Sequence, residues 1–576
     1  MKHILLILFI FLFFPLSNIF ASVPNNKFGI SLAQPNTEEF IKIKELVNSN
    51  GGDWGYVTLI IEEKDRNKEK WQTIFDQLRT LHLIPIIRLA TSAEGENWRR
   101  PETKDVQSWV DFLDSLNWVT KNRYLILFNE PNHGSEWGGE VDAKSYAEVS
   151  LEFAKKLKEK NKDFFIMLAG MDASAPSWMP GLEDEEVFIR KMLADSVSEP
   201  FPSGFGSQKV DLHAAGIPVS STPTNILNYI DGWASHSYPN PGFSGSPYAV
   251  GRGTVRTYEW ELELLRELEA DKELPVFITE TGWKRGNENI VAENFQIAFD
   301  QIWGPDGRVV AVTPFVLDYQ GEPFLEFSWK KYNSQEYYQQ YLTVQAMSKI
   351  NGEPEQIEKG WINFRLPTDI VVQSTYHFKI KLENLGQAVW DKNDNYELKV
   401  NNEKLENPEY IFEDLKNINP FEEKDTYFTL KTNENLGIQK IKFILQKNNK
   451  TILESDEWKI NILPLPSLKF ETRFFPFGSG RGDDYEIQIF DVEDQLVYKK
   501  KSLSVEKSLG QLKDIQNIAL DELYRVVLLK PFHLPRQEYI VFKKDDNNIK
   551  FKSLLPFDFN NDGTFNFKDL LRLLGR

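Results

Sequence analysis

From about Lys27 to Ile350, short apolar runs alternate with longer stretches in which apolar residues recur every three or four positions. The short runs are Phe28–Leu32, Tyr56–Ile61, Ile84–Leu89, Tyr124–Asn129, Phe164–Ala169, Gly232–Ser237, Val276–Glu280 and Val309–Leu317. Their length, their β-branched and aromatic content and the Gly, Pro and Asn around them predict strands buried on both faces. The longer stretches include Glu38–Asn48, Lys68–Leu81, Ala143–Lys160, Val255–Ala270 and Ala292–Trp303, and these predict helices. Eight strands separated by helices predict an α/β domain, a (β/α)8 TIM barrel over residues 27–350. A doubly wound open sheet is the alternative. It is disfavoured because no Gly-rich nucleotide turn follows the first strand.

After about Gly352 the helical period fades. Thr375–Glu383, Tyr396–Val400, Thr426–Lys431 and Ile438–Leu445 alternate apolar and polar positions between Asn, Gly, Pro and Lys. This predicts a β-sandwich over 353–465. Within it, ENLGQAVW at Glu383–Trp390 resembles the strand–turn–Trp segment of bacterial immunoglobulin-like modules that accompany hydrolases. Leu463–Pro466 reads as a Pro-rich linker, and alternation at Tyr485–Phe490 and Tyr524–Leu529 predicts a second β-rich, sandwich-like module over 467–552.

The two ends carry their own signals. Lys2 and His3 precede an apolar run, Ile4–Phe14, and the small residues Ala21 and Ser22 follow. The run is shorter than the ~20 residues of a spanning helix, so residues 1–21 read as a signal peptide of a secreted or cell-surface protein. No later stretch is apolar and long enough to span a membrane. At the other end, residues 556–576 contain DFNNDGTFNFKD, whose spacing fits a short EF-hand-like calcium loop. Asp558, Asn560 and Asp562 take its first, third and fifth positions, Gly563 its sharp turn, Thr564 its carbonyl, and Asn566 and Asp569 its close. A helix Asp569–Leu574 is expected to follow. The loop resembles one of the two repeats of a dockerin, which implies structural calcium and a cohesin-like or cell-surface partner.

Composition narrows the function. The 576 residues call for several domains. The absence of cysteine excludes thiol catalysis and cysteine–zinc sites. A net charge of −18 argues against nucleic-acid and anionic-membrane partners. Seven His with no His-x-His or His-Glu-x-x-His pattern argue against a metalloenzyme, and no catalytic cofactor is expected.

Two predicted strands end on a carboxylate and then break into turn residues, in LILFNEPNHG at Glu130 and LPVFITETGW at Glu280. Strand ends beside loops are where a (β/α)8 barrel builds its active site, and two carboxylates in one cleft equip it to cleave a glycosidic bond. Asn129-Glu130-Pro131 and Ile278–Trp283 together resemble the retaining glycoside hydrolases of clan A, which include cellulase-like, β-1,3-glucanase and xylosidase families. In that clan the acid/base Glu follows Asn at the end of the fourth strand and the nucleophile ends the seventh. These are the strands of Glu130 and Glu280 here. The resemblance implies that Asn129 donates to the sugar 2-hydroxyl, that Arg88 holds the nucleophile ionised, and that His236 and Tyr238 form the clan's His-x-Tyr pair. Trp137, Trp283 and Trp329 are expected to offer rings to sugar faces. Asp172 reads as a turn residue.

The leading expectation is therefore a secreted retaining glycoside hydrolase that cleaves β-linked polysaccharide in endo fashion. Loops Gly134–Asp142 and Ala173–Asn225 would set sugar and linkage. The alternative is a catalytically inactive carbohydrate-binding barrel in a cell-surface assembly, which has no need to keep both Glu130 and Glu280.

Overall fold

A computed structural model of the chain describes residues 25–193, 225–268, 272–401 and 409–573. The expected signal peptide and most of the stretch 194–225 lie outside the described residues. The chain divides into two compact units, Met1–Gln356 and Ile357–Arg576. The first is mixed α/β and the second is rich in sheet.

Eight parallel strands build the first unit: Gly29–Ser31, Gly55–Glu62, Leu83–Ala90, Arg123–Leu127, Phe164–Leu168, Trp233–His236, Val276–Glu280 and Val309–Val312. The first five pair in chain order, as do the last three. Parallel bridges Met167↔Gly232 and Phe28↔Val312 close the two sheets into a barrel. Alternate side chains point inward, and Tyr56, Ile84, Ile86, Tyr124, Ile126, Met167, Ala234, Phe277 and Ala311 fill the interior. Their neighbours, such as Val57, Ile87, Leu125 and Ile278, face outward against Phe40, Trp71, Phe75 and Phe295 of the surrounding helices. Both faces of each strand are thus dry, which is why the strands read as continuous apolar runs. Each fully buried Val, Leu, Ile, Phe or Met among them contributes roughly 1.5–3 kcal/mol by burial.

The helices start where a polar side chain caps them. Asn36, Asn67, Asp142 and Asn287 each accept a hydrogen bond from an amide of the first turn, worth about 1 kcal/mol apiece. The Asn287 cap moves one expected boundary: the helix expected at Ala292 begins at Glu288, runs to Ile297 and widens into a π-helix over Ala298–Trp303. The eighth strand ends at Val312, short of Leu317. Pro314 has no amide to donate, and Phe315 and Leu317 bond singly to the Thr281 and Ser31 carbonyls.

The second unit has two apolar cores. One gathers Ile380, Trp390, Phe428, Phe443, Trp458 and Ile460 among three sheets. The other lies on an eight-stranded sheet and includes Tyr485, Ile487, Ile489, Val526, Leu528 and Phe542. Leu463–Pro466 runs between them, but other contacts tie the cores together. Tyr376 Oη donates to the Ile518 carbonyl at 2.8 Å, and Ile370 bridges Ala519. Among the described residues no helix is long and apolar enough to cross a membrane.

Candidate active site

The site lies where strands three, four, six and seven end. Along the third strand, Ile84 and Ile86 face the barrel interior, and the same two-residue period carries Arg88 inward at the strand's end. The fourth strand stops at Leu127. Phe128 and Glu130 then take left-handed backbone, with φ of 74° and 29°, which costs a non-glycine residue about 1 kcal/mol or more. Phe128 offsets this by packing its ring against Trp137 and Phe153 at 5.6 and 5.4 Å. The reversal leaves Asn129 and Glu130 at the mouth of the barrel.

Glu280 reaches the site through an irregularity. Ser235 pairs with Ile278, and both face outward. The next pair is His236 with Glu280, so Thr279 is an extra residue on the seventh strand. Strict alternation would point Glu280 outward with Ile278. The bulge turns it inward beside His236. Gly170 leaves room for that imidazole, because a Cβ there would run into the His236 ring.

Three side chains converge on the two carboxylates. Arg88 Nη1 donates to Glu280 Oε1 and to Asn129 Oδ1, both at 2.5 Å. Tyr238 Oη donates to Glu280 Oε2 at 3.0 Å. His236 Nδ1 lies 2.8 Å from Glu130 Oε1 and 3.9 Å from Glu280 Oε2. An oxygen of Glu130 and an oxygen of Glu280 lie within 4.8 Å of each other. The carboxylates keep 20% and 13% of their surface exposed, whereas His236 keeps 2%, so a ligand meets the acids and not the imidazole.

The electrostatics separate the groups. Burial works against ionisation of Glu280, but His236 and Arg88, with hydrogen bonds from Tyr238 and Arg88, outweigh it and hold the carboxyl below its ordinary value. Burial also works against the imidazolium of His236, yet the charge of Glu280 and the bond to Glu130 raise it above its ordinary value. Burial first, and then Glu280 and Glu130, push the Tyr238 phenol well up, so it remains a donor.

Two acidic groups carry no signal in the sequence. Glu136 ends the short turn Gly134–Glu136 after Glu130. Burial, reinforced by Glu130 and Glu280, pushes its carboxyl up to about 7 against the opposing pull of Arg88. Asp172, expected only to turn the chain, accepts from Ser174 and pairs with His133 Nε2 at 2.9 Å. A Glu in a Gly-rich loop and a His after Asn-Glu-Pro-Asn have no period that would mark them.

The three tryptophans are corrections. Trp137 is fully buried, edge-on to Phe128 and Tyr146, and its Nε1 reaches Ser145 Oγ at 3.3 Å. Trp283 and Trp329 keep 4% and 1% of their surface and flank Phe295, each at 4.9 Å. Trp283 Nε1 also donates to the Gly245 carbonyl at 2.8 Å. Each ring buries more apolar area between barrel and helices than it would at the rim, so none has a face left for a sugar. The aromatic side chains that continue from Tyr238 are Phe243 and Phe327, with Phe315 and Phe324 beyond them.

Glu130, His236 and Glu280 form the one group of three potential metal ligands within 4.8 Å among the described residues. Arg88 already pairs with Glu280, and His236 Nδ1 already bonds to Glu130. The C-terminal loop is built differently. Asp558 accepts from the amides of Asp562 and Gly563, both at 3.0 Å, and Asp569 from those of Asn560 and Asn566 at 3.2 and 2.8 Å. Asp562 accepts from Thr564, and Gly563 takes φ 83°. The helix here is Phe567–Leu573. Asp558, Asn560, Asp562, Thr564, Asn566 and Asp569 offer oxygen donors only, a set that suits calcium.

No known protein family matches the chain, and no curated protein does. Among solved structures, a GH39 β-xylosidase from Caulobacter crescentus is 12% identical, with 63% of this chain and 84% of that one covered and a TM-score of 0.37. The endo-β-1,4-mannanase from Thermotoga petrophila is 12% identical, covering 76% and 98%, with a TM-score of 0.31. An endo-β-1,4-glucanase from Xanthomonas axonopodis pv. citri is 11% identical, covering 56% and 97%, with a TM-score of 0.34. At such scores the likeness decides nothing about this chain.

Proposed function

We propose that the first unit is a retaining glycoside hydrolase acting on β-linked glycans by double displacement. One observation carries the reading: the Glu130 and Glu280 oxygens approach within 4.8 Å. Carboxyl groups ~5–5.5 Å apart leave no room for an attacking water and make one of them the nucleophile, whereas inverting pairs stand ~6.5–9.5 Å apart.

In this reading Glu280, kept ionised by Arg88 and His236, attacks the anomeric carbon. Glu130 gives its proton to the leaving oxygen as the C–O bond breaks. Glu280 is then esterified and uncharged. Glu130, now a carboxylate, takes a proton from water, the water oxygen bonds to the anomeric carbon, and Glu280 leaves as a carboxylate again. Arg88 and Tyr238 stabilise that returning charge. Asn129 donates to the 2-hydroxyl of the sugar. The test is NMR of the first product from an aryl β-glycoside. The β anomer is expected, and a predominantly α anomer rejects the reading.

The motif resemblance and the accessory unit favour a polysaccharide substrate cut in endo fashion, which product sizing over time checks. The pattern at Lys2–Ser22 favours export. The order of oxygen donors from Asp558 to Asp569 favours structural calcium and, with the dockerin resemblance, a cohesin-like or cell-surface partner.

A further inference from the structure

The loops that follow strands four and five are stitched together beside Glu130. His133 N donates to the Glu130 carbonyl at 2.8 Å and closes a turn directly after it. Gly134 N donates to the Gly181 carbonyl at 2.7 Å and Glu183 N to the Asn132 carbonyl at 2.9 Å, so His133 and Leu182 pair as an antiparallel bridge. Asn132, wholly buried, grips both ends of the second loop. Its Nδ2 donates to the Asp172 and Glu183 carbonyls at 2.9 and 3.1 Å, and its Oδ1 accepts from Asp172 N at 3.2 Å.

This double loop presents a polar group and a ring. The His133 side chain keeps 25% of its surface, and its Nε2 donates to Asp172 Oδ2 at 2.9 Å. Asp172 Oδ1 is taken by the amide and hydroxyl of Ser174 at 2.8 and 2.7 Å. The pinned carboxylate keeps the imidazole proton on Nε2, which leaves a lone pair on Nδ1. Nδ1 has no hydrogen-bond partner among the described residues. Trp178 lies on the same loop, in turns fixed by Met179 N on the Pro176 carbonyl, Leu182 N on the Met179 carbonyl and Asp184 N on Ser177 Oγ at 3.1, 3.2 and 2.9 Å. It is 82% exposed, whereas every other tryptophan of the first unit is buried or half-buried. An exposed ring alone is ordinary. This one is carried by a loop that hydrogen bonds hold against the turn of Glu130.

The chemistry gives that side of the site a direction. Glu130 protonates the departing oxygen and Glu280 attacks from the opposite face of the sugar. The part of the chain that leaves therefore lies on the Glu130 side, which these two loops border. Tyr238, with Phe243 and Phe327 against it, stands at Glu280 instead.

We propose that His133, oriented by Asp172, and Trp178 form the site for the departing part of a glycan chain. His133 Nδ1 accepts a hydroxyl of the sugar beyond the cleaved bond, and the Trp178 ring takes the apolar face of a sugar farther out. This deepens the glycosidase reading above and rests on it.

The test uses the full chain with matched substrates: phenyl β-glycosides of the β-1,3- and β-1,4-linked disaccharides of glucose, mannose and xylose, and the corresponding tetrasaccharides. Both kinds need a proton from Glu130, but only the tetrasaccharide has departing sugars. H133A is expected to lower kcat/KM by about 10-fold on the tetrasaccharide and to leave the phenyl glycoside nearly unchanged. W178A is expected to lose about 5-fold or more on the tetrasaccharide alone, and W178F to recover most of it. A sugar that accepts the glycosyl group enters by the site through which the other departs. The ratio of transfer to hydrolysis, with the free disaccharide as acceptor, is therefore expected to fall in H133A and W178A. Equal losses of H133A on both substrates, or a W178A variant indistinguishable from wild type on the tetrasaccharide, overturn the proposal while the glycosidase reading stands. So does a wild type that cleaves the phenyl glycosides but neither cleaves a tetrasaccharide nor transfers to a sugar. A wild type that hydrolyses no glycoside rejects the glycosidase reading, and this site with it.

Discussion

His236 Nδ1 lies 2.8 Å from Glu130 Oε1, and the same nitrogen is 3.9 Å from Glu280 Oε2. One buried imidazole thus serves both carboxylates. Its raised ionisation, with Glu280 and Glu130 outweighing burial, has a stability consequence. The contribution of protonated His236 is complete below its ordinary value of 6.5 and is lost as pH rises through the higher folded value.

Glu280→Ala is expected to lower turnover by about 10⁴-fold or more with the fold retained. Azide, small enough for the vacated space, is expected to restore part of the rate and yield the α-glycosyl azide. Steady-state kinetics near the wild-type rate would remove Glu280 from the nucleophile role.

Glu130→Ala is expected to depend on the leaving group. A substrate with a poor leaving group needs the proton and is expected to slow about 10²–10⁴-fold, whereas an activated aryl glycoside is largely spared in its first step. A rate series against leaving-group acidity checks this. An unchanged slope would argue against Glu130 as the acid.

Arg88→Ala removes a cation that holds Glu280 below its ordinary 4.5. The acid limb of kcat/KM is expected to move up by about 1 pH unit or more. The stability lent to ionised Glu280 is present above 4.5 and lost as pH falls through the folded value. Destabilisation by this variant is therefore expected to shrink in acid, which denaturant titrations at two pH values measure.

Trp329→Ala tests the corrected role of that ring. With 1% exposure and Phe295 against it, its loss is expected to cost about 3–5 kcal/mol and to leave KM within a few-fold. A large rise in KM at unchanged stability would return Trp329 to the substrate.

Asp562→Ala addresses the C-terminal loop. Calorimetric titration of the whole chain is expected to show calcium uptake by wild type that the variant lacks, with a matching rise in the unfolding temperature. No uptake by wild type would leave the loop a hydrogen-bonded turn.

How much of this was readable from residues alone differs from element to element. The barrel strands were legible because a strand dry on both faces leaves a continuous apolar run, and their order follows from chain order. Glu130 and Glu280 were legible because each interrupts such a run with a charge before turn residues. The aim of each was not. Counting by twos from Phe277 places Glu280 outside the barrel, and only the extra residue at Thr279, seen against His236, turns it in. In the same way the left-handed backbone at Phe128 and Glu130 appears only with the packing that sustains it.

The loops show the same division more sharply. Trp137 stands among glycines and looks like a rim residue, yet it is wholly buried, while Glu136 beside it lies in the fields of Arg88, Glu130 and Glu280. The sequence by itself determined which residue types were at hand, the strands that end on them and the turn chemistry around them, because those depend on local period and propensity. The tertiary structure alone decided which way Glu280 faces, which tryptophans are core and which third carboxyl joins the pair. Bulges, loop anchors and pKa values are set by neighbours far away in the chain, and a local pattern carries no record of them.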